Sequence, residues 1–297
     1  MVNIGLIGYG SMGSMIVNNI LKLDLLLDDE KLFVSNHNLS KLETLGEIYS
    51  DVVITEDNKF LAGNCDVVII CVETPDFLGV LNEIKPNLKD GVHIVTSCAG
   101  LSFDEIMSVY EGSVSIVIPT LASTVGSEAS NITSSNRRKG VSLFTHNNFV
   151  NDSEKSFIED LFNEFSFVKT VDNPEDLRIA TFLTSCSPAF LALLVDKLAD
   201  ISVNYSSFSK DDASYMIIKS LLGTSLILDE DFETDEVISK VATPGGITQA
   251  GLDYLDVELG EDGRELFETL LKRYEWIRKL FFLYFHVFLY CLNCFIL

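Results

Sequence analysis

Basic residues are scarce in this chain of 297 residues, because 21 lysines and arginines stand against 44 aspartates and glutamates, a formal net charge of -23. Nucleic-acid affinity comes mainly from basic groups that neutralise phosphates. A chain this acidic is therefore not expected to bind a nucleic acid. Its acidic excess is typical of a cytosolic protein, which it keeps in solution at some cost in self-repulsion.

The six cysteines form no paired pattern that would predict a disulfide framework. Cys65, Cys71 and Cys98 fall in or beside apolar strand-like runs, where a free thiol behaves as a small hydrophobe. Cys291 and Cys294 have the spacing of a redox or zinc motif, but no second pair or histidine cluster accompanies them, so no metal is expected. No secretory signal precedes the first strand pattern, and a cytoplasmic location is expected.

Internal repeats, low-complexity tracts and proline-rich linkers are also lacking. Up to about residue 171, short apolar strands alternate with helical patterns, which predicts a parallel sheet flanked by helices. The predicted strands are Val2–Ile7, Lys31–Ser35, Val52–Ile54, Val67–Val72, His93–Thr96, Ser115–Ile118 and Phe165–Val171. The predicted helices are Ser14–Leu23, Ser40–Leu45, Phe77–Ile84 and Asp152–Glu164.

The pattern changes after residue 172, where long helical stretches at Ile179–Ile201 and Lys210–Leu228 follow without a strand pattern between them. We therefore predict an α/β Rossmann dinucleotide-binding domain over 1–172 and an all-α domain over 173–278. Residues 279–297 form an apolar tail. Three interpretations of the tail stay open: a membrane anchor, a helix buried in an oligomer, or an extension not original to the fold. Membrane contact is not the favoured one.

The first motif with chemical content is Gly8-Tyr9-Gly10-Ser11-Met12-Gly13, which matches G-x-G-x-x-G directly after a strand and at the start of a helix. Gly8 permits the tight turn, Gly10 lets a pyrophosphate approach the backbone, and Gly13 lets helix and strand pack closely. Exposed N–H groups and the helix dipole then hold the phosphates. The motif predicts dinucleotide binding by Gly8, Gly10, Ser11, Met12 and Gly13, and a purely structural turn is the alternative.

The end of the second strand indicates which dinucleotide is bound. An NAD enzyme usually has an acidic residue there to bind the ribose hydroxyls. This chain has Ser35, Asn36 and His37, followed by Ser40 and Lys41, which are neutral or cationic. We predict NADP, with NAD as a possible substitute, and Ser35, Asn36 and His37 as contacts of the 2′-phosphate. A solvated loop is the alternative interpretation of His37.

The segment Val241–Asp253, with Thr243-Pro244-Gly245-Gly246-Ile247-Thr248, resembles the signature loop of the pyrroline-5-carboxylate reductase family. Ala99-Gly100 after the strand that ends at Thr96, Pro119, and Pro188-Ala189 also resemble family motifs. The resemblance covers roughly residues 1–276 and leaves out the apolar tail. It implies an NADPH-dependent oxidoreductase that reduces the C=N bond of a small cyclic imino acid, by default pyrroline-5-carboxylate to proline, and a helical domain that forms a homodimer or larger homo-oligomer.

The resemblance also implies roles for single residues. Gly245 and Gly246 would bind the substrate carboxylate, since backbone N–H groups before a helix form an anion site. Thr248 would be the catalytic and substrate-binding residue that hydrogen-bonds the ring nitrogen. The alternative interpretation of Thr248 is an N-cap without a ligand. Val72 and Thr74, after the central strand, are further predicted cofactor contacts.

Three departures from the family pattern bear on the substrate. Glu73 stands where the family typically has lysine, and Thr120 where it usually has asparagine. The family's Ser-Gly-Ser-Gly-Pro run becomes Thr184-Ser185-Cys186-Ser187-Pro188, so both glycines are lost. Two alternatives therefore stay open: a catalytically impaired or regulatory paralogue that keeps the fold and the nucleotide, and a different reductase on the same scaffold.

Overall fold

The computed structural model describes residues 2–27, 29–98, 100–120, 122–123, 140–230 and 232–295, with the side chains of 174, 261 and 280–295 left out. The chain divides into two compact units, one of residues 1–185 with 274–297 and the other of residues 186–273. The predicted boundary at residue 172 lies between a strand that ends at Thr170 and a helix that begins at Leu177.

The first unit holds an eight-stranded sheet. Its strands are β1 (Ile4–Ile7), β2 (Leu32–Ser35), β3 (Val53–Thr55), β4 (Val67–Ile70), β5 (His93–Thr96), β6 (Val114–Pro119), β7 (Val141–His146) and β8 (Phe167–Thr170). Their spatial order is β3-β2-β1-β4-β5-β6-β7-β8. The order reverses between β1 and β4, which is where doubly wound folds bind ligands, at the carboxyl ends of the strands.

The helices of the first unit cover both faces of the sheet. They are α1 (Ser11–Lys22), α2 (Glu43–Ile48), α3 (Asn58–Asn64), α4 (Thr74–Ile84), α5 (Phe103–Met107), α6 (Asp152–Asn163) and α7 (Leu177–Thr181). One hydrophobic cluster contains Phe77 and Ile94, and the cluster on the opposite face contains Val95 and Phe162. All four residues of β4 are buried, as the continuous apolar run at its sequence predicts.

The second unit is helical in its described residues. The helix that starts as α7 continues through a π-helical segment, Phe182–Cys186, into α8 (Ser187–Val203). It is followed by α9 (Lys210–Asp229), α10 (Thr234–Val241) and α11 (Ile247–Phe295), the last of which runs on into the residues assigned to the first unit. The predicted α/β domain followed by an all-α region is thus confirmed. Among the described residues, the helix Leu177–Val203 is long and apolar enough to cross a membrane by length and composition alone.

The predicted elements are found with shifts of a few residues at their ends, and His93–Thr96 has the predicted bounds. Four elements were not predicted: β7, α3, α5 and α10. The expectation of a wholly parallel sheet was wrong at β7, which pairs antiparallel with β6, while the other described pairs are parallel. Polar residues interrupt the apolar pattern of β7. Ser142 is nevertheless buried, because its hydroxyl bonds that of Ser166 at 2.6 Å.

Candidate functional site

The first glycine loop joins β1 to α1 at the point where the strand order reverses. Gly8 has a φ of +98°, and a Cβ there would lie 2.4 Å from the carbonyl oxygen of Cys71. A Cβ on Gly13 would lie 2.0 Å from the carbonyl oxygen of Gly8. Glycine is therefore required at both positions, at Gly8 by conformation and close packing and at Gly13 by the close approach of helix and strand.

Gly10 differs from these two glycines because the space beside it is open. No described atom lies within 4 Å of a Cβ built on it. Gly10 is the N-cap of α1 and supplies no side chain to bond the first-turn amides, and the first turn carries no acidic residue. Gly10 and Ser11 are exposed. Since the first amides of a helix have no intrahelical acceptor, this cradle fits the pyrophosphate of a dinucleotide.

The residues at the end of β2 differ in what they can offer a cofactor. Ser35 is fully buried, and its hydroxyl donates to Oδ1 of Asn58 at 2.7 Å. Asn36 is also buried; its Oδ1 accepts from the N–H of Tyr9 at 3.1 Å, and its Nδ2 donates to the carbonyl of Asn38 at 2.9 Å. The side chains of Ser35 and Asn36 are thus engaged within the protein, whereas His37 is exposed.

A short turn after His37 adds two groups that we did not include among the predicted contacts. Asn38 accepts from the N–H of Ser40 at 3.1 Å and from its hydroxyl at 2.7 Å, which fixes the 3-10 turn Leu39–Lys41. Ser40 and Lys41 are exposed. The signal for them was present in the sequence as a hydroxyl and a cation just beyond an acid-free strand end. His37, Ser40 and Lys41 together present groups that can bind a phosphate monoester.

The carboxyl ends of β4 and β5 bring further predicted residues to the same edge of the sheet. The carbonyl of Val72 accepts from the Cys98 thiol at 3.3 Å. Thr74 begins α4, and its Cγ2 would lie 3.6 Å from a Cβ on Gly100. Burial raises the pKa of the Cys98 thiol, so this cysteine is a poor nucleophile. Ala99 lies outside the described residues.

Two of the departures from the family pattern lie near this edge. Glu73 is the exposed N-cap residue of α4. Thr120 is buried, and its hydroxyl accepts from the N–H of Val141 at 3.1 Å. A Cβ on Gly140 would lie 2.2 Å from that hydroxyl oxygen, so Gly140 has no room for a side chain. The hydroxyl of Thr120 therefore supports the start of β7.

The second glycine loop connects α10 to α11 in the second unit. Gly245 has a φ of +74°, and a Cβ on Gly246 would lie 2.5 Å from the hydroxyl oxygen of Thr243. The N–H of Gly246 donates to the carbonyl of Thr243 at 2.9 Å, and the carbonyl of Gly246 accepts the N–H of Ala250 at 3.1 Å. Gly246 therefore caps α11 through its backbone, and its own amide is engaged in the turn.

This geometry moves the predicted anion site by one step along the chain. Thr248 is the second residue of α11 and is exposed, so the alternative interpretation of Thr248 as the N-cap was wrong. The amides that lack an intrahelical acceptor are those of the first turn, from Ile247 onward. A carboxylate at this helix start would meet them beside the Thr248 hydroxyl.

The run that replaces the family's two glycines forms the π-helical segment before Pro188. Thr184 donates its hydroxyl to the carbonyl of Ala180 at 2.9 Å. The hydroxyl of Ser185 is buried and has no partner among the described residues. Because Pro188 lacks an N–H, the carbonyl four residues earlier loses its helical donor, which accounts for a local change of helix type.

Comparisons with known proteins agree with this geometry. A family model for pyrroline-5-carboxylate reductase dimerisation matches residues 174–273, and one for coenzyme F420-dependent NADP oxidoreductases matches residues 3–100. The chain is 40% identical to the pyrroline-5-carboxylate reductase of Methanobrevibacter smithii over 256 residues, 86% of this chain and 97% of the relative.

Solved structures share the fold. A pyrroline-5-carboxylate reductase from Coxiella burnetii matches with a TM-score of 0.78 and 22% identity, over 94% of this chain and 98% of that one. The NADP-bound pyrroline carboxylate reductase of Plasmodium falciparum matches with a TM-score of 0.71 and 22% identity, over 94% and 97%.

Proposed function

The chain belongs to the pyrroline-5-carboxylate reductase family, and we propose that it reduces pyrroline-5-carboxylate to proline with NADPH. The observation that carries the proposal is the presence of two complementary glycine loops on one chain. The loop at Gly8–Gly13 is open to a pyrophosphate, and the loop at Thr243–Thr248 is open to a small carboxylate.

NADP is the cofactor of this family member, and its parts have separate binding groups in the chain. The first-turn amides of α1 hold the pyrophosphate, with Gly10 leaving the approach clear. His37, Ser40 and Lys41 hold the 2′-phosphate, while Asn36 fixes the loop from behind through its bond to Tyr9. When bound, NADPH supplies a hydride for the carbon of a C=N bond.

The chain's own contribution to the reaction is to bind and orient the imino acid. The first-turn amides of α11 bind the substrate carboxylate, and the Thr248 hydroxyl donates to the ring nitrogen. A hydrogen bond to that nitrogen makes the adjacent carbon more electrophilic. The loop supplies this donor from an exposed position, so substrate can reach it without a change in the fold.

Steady-state NADPH oxidation with pyrroline-5-carboxylate tests the proposal. Thr248→Ala should lower kcat/KM by about tenfold or more, as expected for one lost catalytic hydrogen bond. Thr248→Ser keeps the hydroxyl and is the matched control, which should retain most of the activity. NADPH binding in calorimetry without turnover of any cyclic imine would instead indicate a non-catalytic paralogue. Turnover of other cyclic imines alone would indicate a different reductase on this scaffold.

The protein is a homo-oligomer, and the proposed unit is a homodimer formed through α8 and α9. On α8, Leu191, Leu194, Leu198 and Ile201 recur at helical spacing and are each about half exposed within one chain. On α9, Tyr215, Ile218, Leu222 and Leu226 do the same. Apolar stripes this long are usually covered by a partner. We assign the membrane-compatible hydropathy of Leu177–Val203 to this contact.

Sedimentation of full-length protein tests the interface. Leu194→Lys should shift the protein toward monomer, because a charge in a dimer core is costly to bury. Lys197→Ala, on the same helix but outside the stripe, is the matched control and should remain oligomeric. We propose a cytoplasmic location for the enzyme. The apolar tail, whose side chains lie outside the described residues, plays no part in these proposals.

A further inference from the structure

A closed pocket of the first unit is used by neither glycine loop. The cavity has a volume of about 270 Å³ and lies on the face of the sheet that carries α5. Its walls come from β6, β7, the segment 100–104, the start of α7 and two residues of α11. We call it the Arg178 cavity. Its volume is just below the range of about 300–1,000 Å³ typical of small-molecule sites, so it suits a ligand smaller than a nucleotide.

Two buried polar atoms in the wall of the Arg178 cavity have no hydrogen-bond partner among the described residues. They are the hydroxyl oxygen of Thr145 and the Nε of Arg178. Thr145 is only 1% exposed. Buried polar groups in folded proteins are nearly always hydrogen-bonded, and a guanidinium Nε–H can be satisfied only by an acceptor. The cavity therefore requires an occupant with an acceptor oxygen.

The charges around the cavity are of both signs. Arg178 and Arg278 contribute two guanidinium groups, and Asp104 and Glu175 contribute two carboxylates. Arg178 Nη1 lies 3.9 Å from Glu175 Oε2, which is too long for a hydrogen bond, so this contact does not use the acceptor-seeking face of the guanidinium. An occupant with one charge of either sign would leave the opposite set unmatched, whereas an occupant with both charges matches both.

The remaining wall is largely apolar and fits a short aliphatic body. Leu101 and Leu177 are buried residues of the wall, and Tyr274 packs edge-on against Phe182 with ring centroids 6.3 Å apart. Burial, the largest cause, raises the pKa of the Tyr274 phenol, so its hydroxyl stays neutral and can donate or accept a hydrogen bond. A small body with a carboxylate and an ammonium group satisfies all of these features.

We propose that the Arg178 cavity binds a small zwitterionic amino acid, with the carboxylate on Arg178 and Thr145 and the ammonium group toward Asp104 and Glu175. The site uses residues of the first unit alone. The inference does not depend on the proposed reductase activity. It gives the enzyme a second place at which amino-acid levels can act on it.

Calorimetry on the full-length protein with L-alanine as the probe tests this inference. L-alanine carries both charges but no ring nitrogen for the reductase site. Saturable binding is expected, and acetate and methylamine, which each carry one of the two charges, should bind at least about tenfold more weakly. Failure of L-alanine to bind saturably, or equal binding of acetate, would overturn the proposal.

Variants place the binding event in the cavity. Arg178→Gln should weaken L-alanine binding by about tenfold or more, since a charge-assisted bond is lost. Thr145→Val should weaken it several-fold without lowering the thermal midpoint, because the hydroxyl has no described protein partner to lose. A lower midpoint for Thr145→Val, or wild-type affinity in both variants, would contradict the assignment.

One further variant separates the cavity from the reductase loop. Thr248→Ala should lose turnover of pyrroline-5-carboxylate and keep wild-type affinity for L-alanine. Loss of L-alanine binding in Thr248→Ala would mean that the probe binds the reductase loop, and the cavity proposal would fail while the proposed function stood. Retained L-alanine binding in a protein without reductase activity would have the reverse meaning.

Discussion

The backbone N–H of Tyr9 donates a hydrogen bond of 3.1 Å to Oδ1 of Asn36. Tyr9 lies between the first two glycines of the cofactor loop, and Asn36 follows the last residue of β2. The amide of Asn36 also donates to the carbonyl of Asn38 at 2.9 Å. One buried side chain therefore ties the pyrophosphate loop to the turn that carries the groups for the 2′-phosphate.

Asn36→Ala should weaken NADPH and NADH to the same extent. Loss of the bond to Tyr9 loosens the loop that holds the pyrophosphate, which both cofactors share. A neutral hydrogen bond is worth about 1 kcal/mol, so KM for each cofactor should rise about fivefold. Asn38→Ala, which affects only the following turn, is the control. A loss confined to NADPH would show that Asn36 contacts the 2′-phosphate itself.

His37→Asp should reduce the preference for NADPH. His37 is exposed just beyond the end of β2, where an acidic residue would bind ribose hydroxyls and repel a phosphate. The ratio of kcat/KM for NADPH to that for NADH should fall about tenfold or more, equivalent to at least ~1.4 kcal/mol. His37→Asn separates the added charge from the lost imidazole. An unchanged ratio in His37→Asp would remove this turn from cofactor selection.

Two alanine substitutions in the same loop should have opposite effects on stability. At Gly13 a Cβ would lie 2.0 Å from the carbonyl oxygen of Gly8, so Gly13→Ala should lower the free energy of unfolding by about 1–3 kcal/mol. At Gly10 no described atom lies within 4 Å of the added Cβ. Gly10→Ala should therefore keep the thermal midpoint of the free protein and weaken NADPH binding.

The comparison of Gly10→Ala with Gly13→Ala needs two measurements on each variant, thermal unfolding without cofactor and NADPH calorimetry. Wild-type NADPH affinity in Gly10→Ala would contradict the idea that the pyrophosphate approaches this glycine. A free protein equally destabilised by both substitutions would show that Gly10 also packs against the fold.

Features set by neighbouring residues could be predicted from the sequence. The strand, glycine loop and helix over residues 2–23 are one such case, because spacing alone fixes what each glycine must do. The role of Asn36 could not be predicted in the same way. Its position at an acid-free strand end suggested a phosphate contact, whereas its side chain is occupied by Tyr9 and Asn38. Which of two polar neighbours faces the cofactor depends on the packing of β2.

β7 shows the same limit at the level of the fold. Val141–His146 mixes apolar residues with Ser142, Thr145 and His146, so its pattern indicates neither a buried nor an amphipathic strand. Tertiary contacts make it a strand: Ser142 bonds Ser166, and His146 bonds Ser115 at 2.6 Å and Glu159 at 3.0 Å. These partners are distant in sequence, so no local signal indicates them.

A buried chain of polar groups runs from His93 to Glu159 beneath the sheet. His93 Nε2 lies 2.7 Å from the Ser115 hydroxyl, which lies 2.6 Å from His146 Nδ1, and His146 Nε2 lies 3.0 Å from Glu159. Burial lowers the pKa of His93 from 6.5 to about 4, with Glu154 opposing the shift and His146 adding to it. Burial also lowers the pKa of His146, against the opposing effect of Glu159.

The folded protein should therefore lose stability as the pH falls below about 6.5. The folded state keeps His93 neutral while the unfolded chain takes up a proton, so the histidine's contribution is complete above the unfolded pKa and is lost toward the folded pKa. For His93 the loss between roughly pH 7 and pH 5 amounts to about 2 kcal/mol. Urea unfolding at the two pH values, at one fixed protein concentration, measures it.

His93→Gln isolates this contribution from that of the carboxylates, which also titrate at low pH. Glutamine keeps a hydrogen-bonding group near Ser115 but takes up no proton, so the variant should lose about 2 kcal/mol less than the wild type between the two pH values. His37→Gln removes an exposed histidine and should keep the wild-type difference. An equal loss in His93→Gln and wild type would mean that His93 is protonated in the folded state, and the buried chain of bonds would then have to be drawn with a charged imidazole at its end.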